Sequence, residues 1–197
     1  MSKKSQAEKQ QQFDAFFSIQ HAIDTNVILL PDSFEPPASE ALKDNMPIAF
    51  RVASEMANLD SKALHALRNL SQHAEDLVDY LNHMSRKIDL MMSLLLQNQD
   101  DPTHQFKTYS FGGGGVTIIA ESPMQIGQQA EVKLFLPQEA KAVFCYAEVL
   151  TCEAQGAHYK VALVYTSISE DDQELLIRAS LHLQTQLLKQ RAQHKPA

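Results

Sequence analysis

This chain of 197 residues has two cysteines, no long apolar run and no excess of basic residues, and each shortage excludes something. Cys145 and Cys152 stand seven residues apart with no Cys-x-x-Cys spacing and no close histidine, which argues against a metal site or a thiol redox motif. In a strand an odd offset turns two side chains to opposite faces, so the pair is expected to stay unbridged as small buried hydrophobes in a reducing compartment. No stretch approaches the roughly 18 apolar residues of a bilayer span. The N-terminus, with Lys3, Lys4, Glu8 and a tract of glutamines, lacks a signal-peptide core. Membrane insertion is therefore not expected, and the cytoplasm is the expected compartment. Seventeen Lys and Arg against 24 Asp and Glu give a net charge of −7, which offers no basic field to phosphates and excludes nonspecific nucleic-acid binding. Lys189, Arg191 and Lys195 fit helix-end solvation. The eight histidines are scattered, and Glu121, Glu148 and Glu153 fall on predicted strands or turns with no nucleophile-base arrangement. No catalytic residue, metal ligand set or enzyme activity is expected.

What is present begins with a repeat. Ala63, Leu67, Leu70, Ala74, Leu77, Leu81, Met84, Ile88, Met91 and Leu95 recur at alternating steps of four and three. A spacing averaging 3.5 residues makes one seam along a helix and implies a left-handed supercoil with partner helices. The opposite face carries Arg68, Gln72, Glu75, Asp79, Asn82, Arg86 and Asp89, suited to water. Such a helix would span roughly 50 Å at about 1.5 Å per residue. Residues flanking a dimer seam are usually charged, but here they include Leu64, Val78, Tyr80, Met92 and Leu94, which favours self-assembly of three or four chains. The alternatives are a single long helix packed on its own domain and an intramolecular antiparallel hairpin.

Along the chain, residues 5 to about 23 read as a short amphipathic helix with Phe13, Phe16, Phe17 and Ile23 to one side, docked on the domain. Val27-Ile28-Leu29-Leu30, stopped by Pro31, reads as a buried strand. Pro31 to Pro47 is connection, and a helical phase starts near Ile48, with Asp60 at a seam position as a break or a new cap. Asp100, Asp101 and Pro102 end the long helix. Five strand-like runs follow: Phe106 to Tyr109, Val116 to Ala120, Ala130 to Leu136, Ala142 to Thr151 and His158 to Tyr165. Their turns predict an antiparallel sheet or small barrel. Ser169-Glu170-Asp171-Asp172 then opens a helix with Leu176, Ala179, Leu183 and Leu187 inward.

Four of the six glycines are consecutive, Gly112 to Gly115, between two strands. They permit close backbone approach and positive φ. A P-loop is excluded, because no Lys-Ser/Thr and no helix follows. A tight barrel corner and a ligand-facing turn both remain open on the glycines alone. Thr108-Tyr109-Ser110-Phe111-Gly112-Gly113 resembles the Asp/Asn-x-Ser-x-x-Gly element of the PilZ family. Val116, the run Ala130 to Pro137, Ala147-Glu148-Val149 and the run Tyr159 to Leu163 follow at similar spacings, so the resemblance covers residues 104 to about 180.

The resemblance implies an α+β fold: a six-stranded antiparallel β-barrel with a C-terminal helix, here with a long coiled-coil helix inserted before the second barrel strand. Val27 to Leu30 would be the missing first strand. The expected divisions are 1–47 (N-terminal helix, first strand, linker), 48–100 (heptad helix for oligomerisation) and 101–197 (barrel and C-terminal helix). The family's usual ligand is the bacterial second messenger cyclic di-GMP. Typical members bind it through an Arg-x-x-x-Arg before the barrel, whose guanidinium groups grip guanine and phosphate. This chain's arginines, Arg51, Arg68, Arg86, Arg178 and Arg191, include no such pair, and Thr108 stands where Asp or Asn is usual. Ser110 and Gly113 match. The expectation is a signalling or scaffold protein with no required cofactor and weak or no cyclic di-GMP binding, working with an unidentified protein partner. The alternative is a true receptor with a non-standard site. If ligand binds, Lys107, Thr108, Ser110, Gly112 and Gly113 are the expected contacts.

Overall fold

The structure, a computed structural model, describes residues 5–55, 75–99 and 102–193. Helix α1 (Gln6–Asp14) opens at a capping box: Ser5 Oγ accepts from the Glu8 N–H and Glu8 Oε2 from the Ser5 N–H. Strands β1 (Ser18–Ile19) and β2 (Asp24–Leu29) follow, then the short α2 (Leu42–Asn45), a helix α3 described over 48–55, and α4 (Glu75–Gln99). The rest is β3 (Gln105–Gly112), β4 (Gly115–Ala120), β5 (Gln129–Leu136), β6 (Lys141–Gln155), β7 (His158–Ser167) and α5 (Glu170–Gln193). A helix extending to about residue 23 was expected, yet α1 stops at Asp14. Main-chain pairing wins beyond it: Ser18 pairs with Gly112 and Ile19 with Phe111, while Ile23 exchanges hydrogen bonds with Thr108.

Antiparallel pairing runs β3-β2-β5-β6-β7-β4 and returns to β3, closing a six-stranded barrel. β2 is the sixth strand that the five later runs lacked, and β1 adds to β3 outside the closure. The period-two alternation places Val27, Val116, Ile118, Val132, Leu134, Val161 and Leu163 inside, and α5 packs Leu176, Ala179 and Leu183 onto the same core. One expectation about the cysteines is corrected. The β6 register passes from Val149↔Leu163 to Thr151↔Ala162, leaving Leu150 as a bulge. That extra residue resets the alternation, so Cys145 and Cys152 both pack on the barrel core instead of facing opposite ways, and both stay free thiols.

The insertion between β2 and β3 is anchored by a second core outside the barrel. Leu42, Met46 and Phe50 bury themselves on the outward residues Phe135, Phe144 and Tyr146, with Phe34 against Tyr146. Phe50 thus sits 6.4 Å from Phe135, while Arg86 of α4 donates to the Gln138 carbonyl oxygen at 3.1 Å. A straight helix would hold residues 50 and 86 about 54 Å apart at 1.5 Å per residue. The described parts of the heptad segment, 48–55 and Glu75–Gln99, therefore do not lie on one straight rod. Within α4, Leu77, Met84, Ile88, Met91 and Leu95 are 37% to 64% exposed, and Leu81 is partly buried. Ala63, Leu67, Leu70 and Ala74 of the seam lie outside the described residues, as does the expected break near Asp60.

Helix α5 begins as expected. Ser169 Oγ accepts from the Asp172 N–H at 3.1 Å and donates to Asp172 Oδ2 at 2.7 Å. Burial pushes the Asp172 carboxyl above its ordinary value and Asp171 adds to the rise, while the Ser169 hydrogen bond opposes it. A carboxyl raised by folding binds its proton more tightly in the native state, so stability falls as pH climbs from the ordinary carboxyl value through the raised one. Asp172→Asn removes that group. Urea denaturation at about pH 4 and pH 7 should show the variant gaining on the wild type as pH rises; a pH-independent difference would place Asp172 in solvent.

Candidate functional site: the glycine corner

The turn between β3 and β4 is made of Gly112 to Gly115, all buried. None of the four has positive φ; among the glycines that conformation belongs to Gly127 and Gly156. What the corner needs from glycine is close approach. A Cβ on Gly112 would clash with the Phe17 carbonyl oxygen, and one on Gly115 with the Leu163 carbonyl oxygen. At Gly113 it would meet Ile177 Cγ1 at 2.5 Å, and at Gly114 the Phe13 carbonyl oxygen at 2.6 Å. The surface from which the glycines strip side chains is therefore covered by the chain's own N-terminal segment and by α5.

Polar contacts hold that segment in place. Gln6 Nε2 donates to the Leu150 carbonyl oxygen at 2.8 Å and Gln12 Nε2 to that of Tyr165 at 2.9 Å. Lys9 Nζ pairs with Glu148 Oε1 at 2.5 Å, and Gln129 Nε2 donates to the other Glu148 oxygen at 2.8 Å. From α5, Gln173 Nε2 donates to the Gly113 carbonyl oxygen at 2.8 Å.

The five residues expected to face a ligand lie along β3 and its turn. Thr108 is buried; its hydroxyl donates to the His21 carbonyl oxygen at 2.6 Å and accepts from the Ile23 N–H at 3.0 Å. It ties down the loop into β2. The exposed Lys107 ammonium is paired with Asp24. Ser110 is half-buried and pairs with Thr117, after a bulge at Tyr109, whose ring lies 4.5 Å from Lys160 Nζ. Gly112 and Gly113 are packed as above. Sequence reasoning set Phe13, Phe16 and Phe17 on the domain but did not connect them to the glycines, and it missed Lys9 and Glu148 as partners. Nothing local joins residues 139 apart.

A cavity of about 160 Å³ lies beside α5, lined by Ile23, Leu136, Pro137, Ala179 and Leu183 with His21, Asp24 and Glu139. It is smaller than the roughly 300–1,000 Å³ of ligand pockets. Among the described residues no cluster of three or more His, Cys, Asp or Glu could hold a metal, and no helix is long and apolar enough to cross a membrane.

Gly114→Ala tests the role given to the corner. The added methyl meets the Phe13 carbonyl oxygen, so stability should drop by about 1–3 kcal/mol in urea denaturation, the usual cost of overpacking. A neutral substitution would mean that α1 does not press on the turn.

Comparison with known proteins fits this geometry. The PilZ domain family matches residues 85–182, from within α4 into α5. The fold is similar to the crystal structure of a pathogenic protein from Xanthomonas campestris, described as a tetrameric PilZ domain self-assembled via an unusual helical bundle. That likeness has a TM-score of 0.54 at 14% identity and covers 93% of this chain and 97% of the other. Partial likenesses include the Bacillus subtilis inhibitor of motility (TM-score 0.40, 21% identity, 44% of this chain, 45% of that one). Escherichia coli YcgR in complex with c-di-GMP is another (TM-score 0.41, 13% identity, 46% and 40%). A sequence search of curated proteins finds no match. The closed six-stranded barrel, the glycine turn after Thr108-Tyr109-Ser110 and the match over residues 85–182 make this chain a member of the PilZ family.

Proposed function

We propose that this protein is a non-enzymatic signalling or scaffold protein acting through protein contacts in a bacterial, cytoplasmic, cyclic di-GMP-linked pathway. Its heptad segment, within 48–100, assembles three or four copies, and it takes nucleotide weakly or not at all. The observation that carries this reading is the filled glycine corner: Phe13, Phe17 and Ile177 stand where a ligand would need open backbone. Supporting it, the Thr108 hydroxyl is engaged by the loop into β2, Lys107 is paired with Asp24, and the chain has no Arg-x-x-x-Arg. Each charged contact forgone removes roughly 1.5–3 kcal/mol from binding a dianion, and the net charge of −7 opposes an anion further.

Self-assembly draws support from the exposed seam. A stripe of Leu77, Met84, Ile88, Met91 and Leu95, widened by exposed Tyr80, leaves apolar surface that the described residues of one chain do not cover. The Xanthomonas protein similar over most of the chain is described as a tetramer built by a helical bundle, which supports four copies over three.

Calorimetric titration with cyclic di-GMP should give a dissociation constant weaker than about 1 μM, near −8 kcal/mol, or no heat at all. Tighter binding would establish the alternative, a receptor with a non-standard site. Ser110→Ala and Lys107→Ala would then each lower affinity if the site includes Lys107, Thr108, Ser110, Gly112 and Gly113.

Sedimentation equilibrium at micromolar concentration should show three or four chains. Leu81→Asp, which buries a charge in the seam, should dissociate them at a cost above about 3 kcal/mol per site. A monomer at every concentration, or an intact Leu81→Asp assembly, would overturn the seam assignment.

A further inference from the structure

Gly115 on β4, Val164 on β7 and Glu148 on β6 lie in register across three strands. Val164 follows the inward Leu163 and so faces out, yet it is 1% exposed, because α1 packs across β6 and β7 there. Helix α1 itself has no fully buried residue. It is held by the Lys9–Glu148 pair, by two glutamine hydrogen bonds, and by the Phe13 and Phe16 rings at Gly115 and Gly113. The first side chain of this segment to enter the barrel core is Ile19. Residues before Ser18 can therefore leave without opening that core.

Their departure would uncover a surface with definite chemistry. Glu148 is 6% exposed, and without Lys9 its remaining partner, the neutral Gln129 amide, leaves the negative charge uncompensated. Beside it the bare glycine backbone fits flat rings. An anion is repelled there, whereas a cation with an aromatic ring one helical turn further on restores what α1 supplies. Lys9 and Phe13 have that i, i+4 spacing, and Phe16 follows on the adjoining turn. We propose that α1 is a detachable strap occupying a docking surface for a helix of a partner protein, one that presents a basic residue and an aromatic residue four positions apart. The proposal rests on the reading that this protein acts through protein contacts, and it names the chemistry of one such contact.

The strap's own sequence is the probe. A labelled peptide of residues 5–19 is titrated by fluorescence anisotropy, up to about 1 mM because so short a helix is marginal in water. Its targets are the full-length wild type and the full-length Lys9→Glu/Phe13→Ala double variant, whose own strap is weakened. The peptide should bind the variant at least about tenfold tighter than the wild type, where the tethered copy competes at millimolar effective concentration. A peptide carrying the same two changes should bind neither. Absent or equal binding to the two proteins, or indifference to the peptide changes, overturns the proposal. Amide exchange on the wild type keeps the test decisive if the variant misfolds: residues 5–17 should exchange faster than Thr25 to Leu29, and equal protection would rule out a detachable strap. Cyclic di-GMP titrated into the same variant separates the two readings. Nucleotide binding gained there would replace the helical partner with a nucleotide, whereas failure of the peptide with nucleotide still silent overturns the strap alone.

Discussion

The glycine corner rests on a close crossing of backbone, Phe17 over Gly112 and Phe13 over Gly114, with no room for a β-carbon between them. Once that crossing is made, Ser18 and Ile19 fall into register with Gly112 and Phe111, and the chain enters the barrel through Ile19 and Ile23. The next turn then brings the Ile23 main chain to Thr108. Glycine gives up side-chain burial at four positions here, and the compensation is burial of a neighbour: the outward Val164 is covered by the segment that the glycines admit. The same economy explains why Thr108 suits its position. Its hydroxyl donates and accepts once each within the fold, so the Thr108 side chain is satisfied without a ligand.

The insertion obeys a different constraint. A closed barrel has two apolar faces to dispose of on β5 and β6, and the outer one, with Phe135, Phe144 and Tyr146, would be costly in water. α2 and α3 cover it with Leu42, Met46 and Phe50, so the insertion starts on the barrel wall. Lys133 survives in that wall because Glu131 lies 3.4 Å away and the Phe50 ring 5.9 Å away. Arg86 then ties α4 to the β5–β6 turn. Both described parts of the heptad segment are thus referred to one pair of strands, which orients the exposed seam of α4 relative to the barrel.

What could be read from the sequence was what repeats locally. The five later strands announce themselves by alternation and by turn residues, and each is found within a few positions of its expected place. The seam on α4 is as plain, since heptads need no tertiary information. Val27 to Leu30 was legible as a strand because Pro31 stops an apolar run, and the family pattern assigned it to the barrel. Events decided at long range were hidden. The end of α1 at Asp14 is set by pairing with β3, nearly a hundred residues later, against a phenylalanine pattern that suits a helix. The bulge at Leu150, which turns Cys152 back to the core, leaves no trace in composition. The glycine run was visible as a place where something approaches closely, but its spacing could not say whether the visitor is a ligand or the chain itself.

If the corner takes its own chain in place of a ligand, as proposed, the family frame has kept its shape and changed its occupant. The barrel, the serine and the glycines are dictated by strand pairing and close packing, so they persist whatever the corner receives. The cations that grip an anion in typical family members have no such structural duty, and this chain has no Arg-x-x-x-Arg. Lys9 meets Glu148 beside that turn, and the buried Glu148 carboxylate disfavours an anion there and favours the chain's own basic, aromatic segment. On the proposed reading, a surface that selects a cation beside a ring suits a basic, aromatic segment of protein rather than a phosphate, and it needs no strand to move.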